Sequence, residues 1–252
     1  MHLLSSPPLA LPPWKKTGKR LESLMRKALY QFCMLDLTQK KQKIAVALSG
    51  GKDSLSLLFL LNAISGRGFP ELEIHALHID GVFSCGASIG RRYLQSICAA
   101  LHIPLHIKTA EGGAPKECYS CSRKRRSLLF SMMKELDIQT IAFGHHRDDS
   151  IETLLMNLLH KAEFAANLPK LFLQKYHVTL IRPLIYISEK EIHSFATSYG
   201  FARIMCQCPV GQSSYRKKVK DLLNHIEELY PHTRDNLSQA SHIYGSTKAA
   251  NP

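Results

Sequence analysis

KIAVALSGGKDSLSLLFLL, residues 43–61, reads as a strand, a glycine turn and a helix. The run Ile44, Ala45, Val46, Ala47, Leu48 is short, apolar and partly β-branched, which suits a strand covered on both faces of a parallel sheet. Ser49, Gly50 and Gly51 interrupt it. Leu55, Leu57, Leu58 and Leu61 then recur near helical spacing, and Asp53 falls in the first turn, where the helix dipole favours a carboxylate. Adjacent glycines let the backbone approach a bound group, and the free N–H donors of a helix start make an anion site. A Walker-type phosphate loop needs glycine at position 46, where Val46 stands, and Ser or Thr after the lysine, where Asp53 stands, so this turn is of another kind.

The string Ser49, Gly50, Gly51, Lys52, Asp53, Ser54 resembles the signature of the PP-loop ATP pyrophosphatases, which use ATP to adenylate a carbonyl or amide oxygen. An ordinary glycine turn is the competing reading, but all six residues stand in the strand-to-helix context that the motif requires.

A chain of 252 residues can bury a full core, and one α/β domain with helical additions accommodates it. Lys and Arg number 33 against 20 acidic residues, a formal charge of +13, which points to a polyanionic partner, RNA or DNA. The basic segments are spread along the chain: Lys15, Lys16, Lys19 and Arg20, then Arg123 to Arg126, then Arg216, Lys217, Lys218 and Lys220. No apolar run approaches the roughly 20 residues of a membrane helix. The opening MHLLSSPPLALPPW lacks a basic start and is broken by Pro7, Pro8, Pro12 and Pro13, so it reads as a flexible lead-in rather than a signal peptide. Seven cysteines without a secretory signal imply reduced thiols and a cytoplasmic location, with no membrane partner. Cys33, Cys85 and Cys98 stand alone and read as structural; the other four are grouped.

Residues 15–36 read as a basic amphipathic helix with Leu21, Leu24, Met25, Ala28, Leu29 and Phe32 on one face. A second buried strand, residues 73–79, completes a βαβ unit whose right-handed crossover puts the glycine turn at the carboxyl edge of the sheet. His78 at the end of that strand either lines an adenine pocket or is a core histidine. A helix over 88–101 and a strand over 105–108 follow. Then Cys118-Tyr119-Ser120-Cys121 opens a basic helix. This C-x-x-C fits a redox dithiol, half of a zinc site, or two ligands of an iron–sulfur cluster; Cys206 and Cys208 further on favour a metal centre. A fourth strand, 138–143, ends in a second glycine turn, Gly144-His145-His146-Arg147-Asp148-Asp149, before a helix over 150–160. The two carboxylates can hold Mg2+ on a pyrophosphate or cap the helix, and capping needs only one. Residues 161–175 read as a basic linker with Pro169, 178–181 as a fifth strand ending in Arg182-Pro183-Leu184, and Ser188 with Glu191 as a capping box for a helix ending near 199–200. Two polar helices, 217–230 and 236–243, make the tail.

Ser49 to Ser54, Cys118-Tyr119-Ser120-Cys121-Ser122-Arg123, Gly144 to Asp149, Asn167-Leu168-Pro169-Lys170-Leu171 and Ile181-Arg182-Pro183-Leu184 occur in the order seen in the tRNA 2-thiocytidine synthetase family, which the chain resembles from about residue 15 to about residue 243. The resemblance implies a doubly wound, Rossmann-like parallel sheet of the adenine nucleotide alpha hydrolase type. Its parts would be a lead-in (1–14), a basic helix (15–42), an ATP-binding α/β domain (43–200) and a cysteine segment with a helical tail (201–252). It implies ATP-dependent thiolation of an anticodon-loop cytidine in tRNA, with sulfur from a donor such as a cysteine desulfurase and with a homodimer left open. In that scheme Ser49, Gly50, Gly51 and Ser54 cradle the leaving pyrophosphate, Lys52 neutralises charge, Asp53 and Asp149 position Mg2+, and Arg182 borders the cleft. His78 and Gly144 join the nucleotide site, and Cys118, Cys121 and Cys208 hold a 4Fe–4S cluster with one open iron. A structural zinc on all four grouped cysteines is the rival metal reading. The family's best-studied branch has C-x-x-C where this chain has Cys206-Gln207-Cys208, a departure that also fits a branch thiolating uridine. Other reactions of this superfamily, such as lysidine formation or amidation, and a nucleotide-regulated RNA-binding protein without catalysis, are the remaining alternatives.

Overall fold

Strand β1 (Lys41–Ala47) lies at the centre of a six-stranded sheet whose order is β3-β2-β1-β4-β6-β5. The computed structural model describes residues 7–81, 91–110, 118–201 and 215–245. The other strands are β2 (Glu71–Gly81), β3 (Leu105–Ala110), β4 (Thr140–Ala142), β5 (Lys170–Leu173) and β6 (Val178–Ile181). Every pairing is parallel except β5 with β6. The chain builds outward from β1 through β2 to β3, then returns to the far side of β1 for β4. The strand order therefore reverses between β1 and β4, and the crevice outside their carboxyl ends is where an open α/β sheet receives a ligand.

The alternating strand pattern feeds two cores. Ile44, Val46 and Leu48 point into a large cluster with α1 (Lys16–Gln31), α2 (Lys52–Ile64), α3 (Arg91–Ala100) and α6 (Glu189–Ser198). Ala45, Leu77, Ile79, Ile141 and Leu180 face a second cluster with α4 (Cys118–Glu135). Helices on both faces are why β1 carries no polar face, and they establish the doubly wound fold. Helix α2 is apolar on nearly every side because it is enclosed: Leu55, Leu57, Leu58, Phe59, Leu60 and Leu61 are all buried. A third, smaller cluster joins Ile151 and Leu155 of α5 (Arg147–Lys161) to Val219 and Leu223 of α7 (Tyr215–Leu229), with Leu237 of α8 (Thr233–Tyr244) against it. The tail helices thus anchor on α5. Among the described residues no helix is long and apolar enough to cross a membrane.

Three expectations change. Residues 170–173, within the expected basic linker, form the antiparallel edge strand β5, with Lys170 and Phe172 outward and Leu171 and Leu173 partly covered. Four residues after a proline are too short for the alternation to register. Ala10 and Trp14, within the expected flexible lead-in, are buried; the indole packs edge-on against Phe195 at 5.6 Å and donates its Nε1 hydrogen to Glu22. Cys98 is a core thiol, as expected, whereas Cys33 is exposed, in a left-handed residue (φ 45°) just past α1, and Cys85 lies outside the described residues.

Candidate active site

The turn after β1 is a ring of short-range hydrogen bonds. The Gly50 N–H donates to Ser54 Oγ (3.1 Å), the Gly51 N–H to Ser49 Oγ (3.3 Å), and the two hydroxyls lie 3.1 Å apart. Gly50 has φ 85°, a left-handed value that favours glycine. The ring gathers two backbone donors and two hydroxyls within one turn. Helix α2 begins at Gly51 with no side-chain cap, whereas α5 and α6, which start at the same sheet edge, each carry a complete capping box. Of these three helix starts, that of α2 is the one left open to an anion.

Lys52 reaches across the turn to Asp53 Oδ1 (2.9 Å) and to Glu189 Oε1 at the start of α6 (3.4 Å). Burial disfavours its ammonium, but the two carboxylates outweigh that and hold its pKa above the ordinary value. Glu189 also takes Lys220 from α7 at 2.5 Å, so one carboxylate gathers two lysines from separate helices.

The second glycine turn, between β4 and α5, packs onto the first. A Cβ on Gly144 would stand 3.0 Å from Asp53 C and from Ser54 N, so glycine is what lets the two turns touch. His146 is buried and caps α5: its Nδ1 accepts from the Asp149 N–H (3.3 Å) while Asp149 Oδ2 accepts from the His146 N–H (3.0 Å). The other ring nitrogen, Nε2, lies 3.4 Å from Asp149 Oδ2 and 3.9 Å from Asp53 Oδ1. Carboxylates from two strand ends therefore converge on one imidazole. Burial works against the Asp149 carboxylate, yet His146, His145 and Arg216 together bring its pKa down to about 2, so it is an anion at neutral pH. Asp148 turns the other way. It accepts from the Glu189 N–H (2.7 Å) at the start of α6 and pairs with buried Arg234 of α8 (3.0 Å), and so does structural work.

Arg216, the second residue of α7, donates to Asp149 Oδ1 (2.9 Å), Glu152 Oε2 (3.4 Å) and Thr153 Oγ1 (3.3 Å). Glu152 is buried, and burial raises its pKa to about 7, with Arg216 opposing and Asp149 adding to the rise. Arg182 emerges from β6 into the same wall, with one guanidinium nitrogen donating to the Leu168 carbonyl.

Ser49, Gly50, Gly51, Lys52, Asp53, Ser54, Gly144 and Asp149 therefore lie together at the β1/β4 crevice. His78 lies behind them: buried, it bonds through Nδ1 to the carbonyl of Leu48 (2.8 Å) and so braces the residue before the turn. Cys118 and Cys121 both fall in the first turn of α4, three residues apart, while Cys206 and Cys208 lie outside the described residues. Two cysteines at that spacing suit a thiolate-bound cluster, and two carboxylates at a phosphate-binding turn suit Mg2+. Among the described residues no three His, Cys, Asp or Glu side chains form a complete metal cage; Mg2+ needs none, because it keeps waters and takes substrate phosphate oxygens as ligands. His146, Glu189 and Arg216 escaped the sequence reading as site residues. Only the S/T-x-x-E capping pattern at Ser188 hinted that Glu189 begins a helix, and nothing local paired Arg216 with Asp149.

A PP-loop domain family matches residues 16–204. A tRNA-cytidine(32) 2-sulfurtransferase of Pelobacter propionicus is 34% identical over 88% of this chain and 84% of that protein. The enzyme of the same name from Geobacter sulfurreducens is 31% identical over 88% of each, and that of Bartonella tribocorum 33% identical over 90% of this chain and 80% of its own. Among solved structures, the U34-tRNA thiolase NcsA of Methanococcus maripaludis, with its [4Fe-4S] cluster, superimposes with a TM-score of 0.72 at 22% identity, over 90% of this chain and 79% of that one.

Proposed function

This chain belongs to the PP-loop family and, within it, to the tRNA-cytidine(32) 2-sulfurtransferases, and from that premise we propose that it replaces the C2 oxygen of an anticodon-loop cytidine in tRNA with sulfur, using ATP. One observation carries the reading to these residues: Asp53 from the first turn and Asp149 from the second both lie within 4 Å of His146 Nε2, beside the uncapped start of α2.

Cytidine O2 attacks the α-phosphorus, pyrophosphate leaves, and the C2–O bond of the adenylated base then breaks as a C2–S bond forms and AMP departs. The Gly50 and Gly51 N–H groups and the Ser49 and Ser54 hydroxyls hold the departing pyrophosphate, where fixed donors stabilise developing charge without reorganising. Lys52 exchanges its contacts to Asp53 and Glu189 for phosphate oxygens, remaining an ammonium throughout. Asp53 and Asp149 hold Mg2+, which when bound neutralises phosphate charge. Arg216 and the α5 cap keep Asp149 in place, and His146 fixes its distance from Asp53. Cys118, Cys121 and Cys208 would hold a 4Fe–4S cluster, which would supply a site to carry the sulfur. The scheme requires sulfur at the sulfide level, as sulfide itself or from a cysteine desulfurase with a two-electron thiol reductant, and the tRNA, which the +13 charge supports.

Incubation with ATP and Mg2+ should yield AMP and pyrophosphate only when tRNA is present, and Lys52→Ala or Asp149→Asn should lower that yield at least about a hundredfold. Cys208→Ala should abolish thiolation while leaving ATP binding intact, and Cys206→Ala should be mild. AMP formed equally well without tRNA would contradict the reading.

A further inference from the structure

Arg182 and His145 leave neighbouring strands at the carboxyl edge: the Phe143 N–H donates to the Ile181 carbonyl (3.0 Å), which puts the next residues of β4 and β6 side by side. Arg182 is only 6% exposed, and among the described residues its Nε has no hydrogen-bond partner. The buried Nδ1 of His145 has none either, and its ring stacks on Phe143 with centroids 5.6 Å apart and planes at 10°. Arg126, on α4 one turn beyond Ser122, is held by its Nη2 to Ser122 Oγ (3.0 Å) and acts on both groups as a like charge. Burial, then these neighbours, push Arg182 down to about 10 and keep His145 neutral. Among the described residues Asp149 is a carboxylate that acts on both, and it already carries Arg216 at 2.9 Å. Buried polar atoms without partners beside crowded like charges are unfavourable unless an anion joins them.

We propose that Arg182, His145 and Arg126 form a second phosphate site, separate from the glycine turn, that grips one phosphate of a bound substrate beside the reacting atoms. A guanidinium fork matches two phosphate oxygens, and a neutral imidazole adds one N–H donor. The thiolation reading, on which only the identity of the ligand rests, offers two sources of that phosphate: the α-phosphate of ATP, which stays with adenosine when pyrophosphate leaves, and the phosphodiester flanking the target pyrimidine.

The test is equilibrium binding by the full chain of a non-hydrolysable ATP analogue and, separately, of unfractionated tRNA, with Arg182→Gln and His145→Gln compared to the unaltered protein. Thermal melting is measured on each to confirm that it folds. Each variant should bind one of the two ligands about tenfold more weakly or worse. A loss confined to the ATP analogue assigns the α-phosphate, and a loss confined to tRNA assigns the phosphodiester. Folded variants that bind both ligands within about twofold of the unaltered chain would overturn the site; if Arg182→Gln does not fold, His145→Gln decides alone. Turnover is scored apart, as AMP made by the unaltered protein, so a chain that makes no AMP yet loses affinity in the variants keeps this site and loses the thiolation reading.

Discussion

Gly144 shows what a single residue does here. Its φ is not in the left-handed region; what demands glycine is the backbone of Asp53 and Ser54 at 3.0 Å from where a Cβ would be. Gly144→Ala should therefore push the start of α2 away from β4, costing about 1–3 kcal/mol of stability and weakening ATP affinity about tenfold; a melting curve and a nucleotide titration read both, and unchanged affinity would mean the two turns need not touch. Glu152 makes a second residue-scale prediction, in pH. Its pKa rises from 4.5 to about 7 in the fold, chiefly by burial, so between those values the native state binds more protons than the unfolded chain and stability falls as pH rises. Glu152→Gln should remove that slope, which the Tm of the two proteins at pH 5 and pH 8 would show; parallel profiles would contradict the burial account. Asp149 works in a lower window, since its depressed pKa withdraws stability only as pH falls below its ordinary 3.8.

At the scale of elements, the glycine turn was legible because all its partners are local: strand, Gly50, Gly51 and helix occur within one stretch, and each obeys its own short-range rule. The α6 capping box at Ser188 and Glu191 was legible for the same reason. Sequence alone could not show that His146, not a serine or aspartate, caps α5, or that Arg216 returns to Asp149 from 67 residues away; those contacts exist only once α7 packs its Val219 and Leu223 on α5. Nor could it separate the two aspartates. Asp149 faces the crevice, while Asp148 is locked to Arg234 with both side chains under 10% exposed. Removing one member of such a pair strands a buried charge, so Arg234→Met should cost about 3–5 kcal/mol, and Asp148→Asn in the same chain should recover part of it. Urea unfolding of the single and double variants measures this, and equal stability of Arg234→Met and the unaltered protein would show the tail helices to be loosely attached.

For the whole molecule, two cores on opposite faces of one sheet hold the β1 and β4 loops at the point where strand order reverses, and that placement is a consequence of the parallel order, not of any residue in the loops. The excess of positive charge and the distributed basic segments are global properties too, readable from composition, whereas the surface that would meet RNA depends on how α1, α4 and α7 are arranged around that crevice. The most direct measurement is mass analysis of nucleosides from tRNA incubated with ATP, Mg2+, a sulfur source and protein purified without oxygen. 2-Thiocytidine should form, at most one per AMP released, and none should form when Lys52 is replaced by alanine. Unthiolated cytidine from brown, iron-loaded protein that still turns ATP into AMP would contradict it.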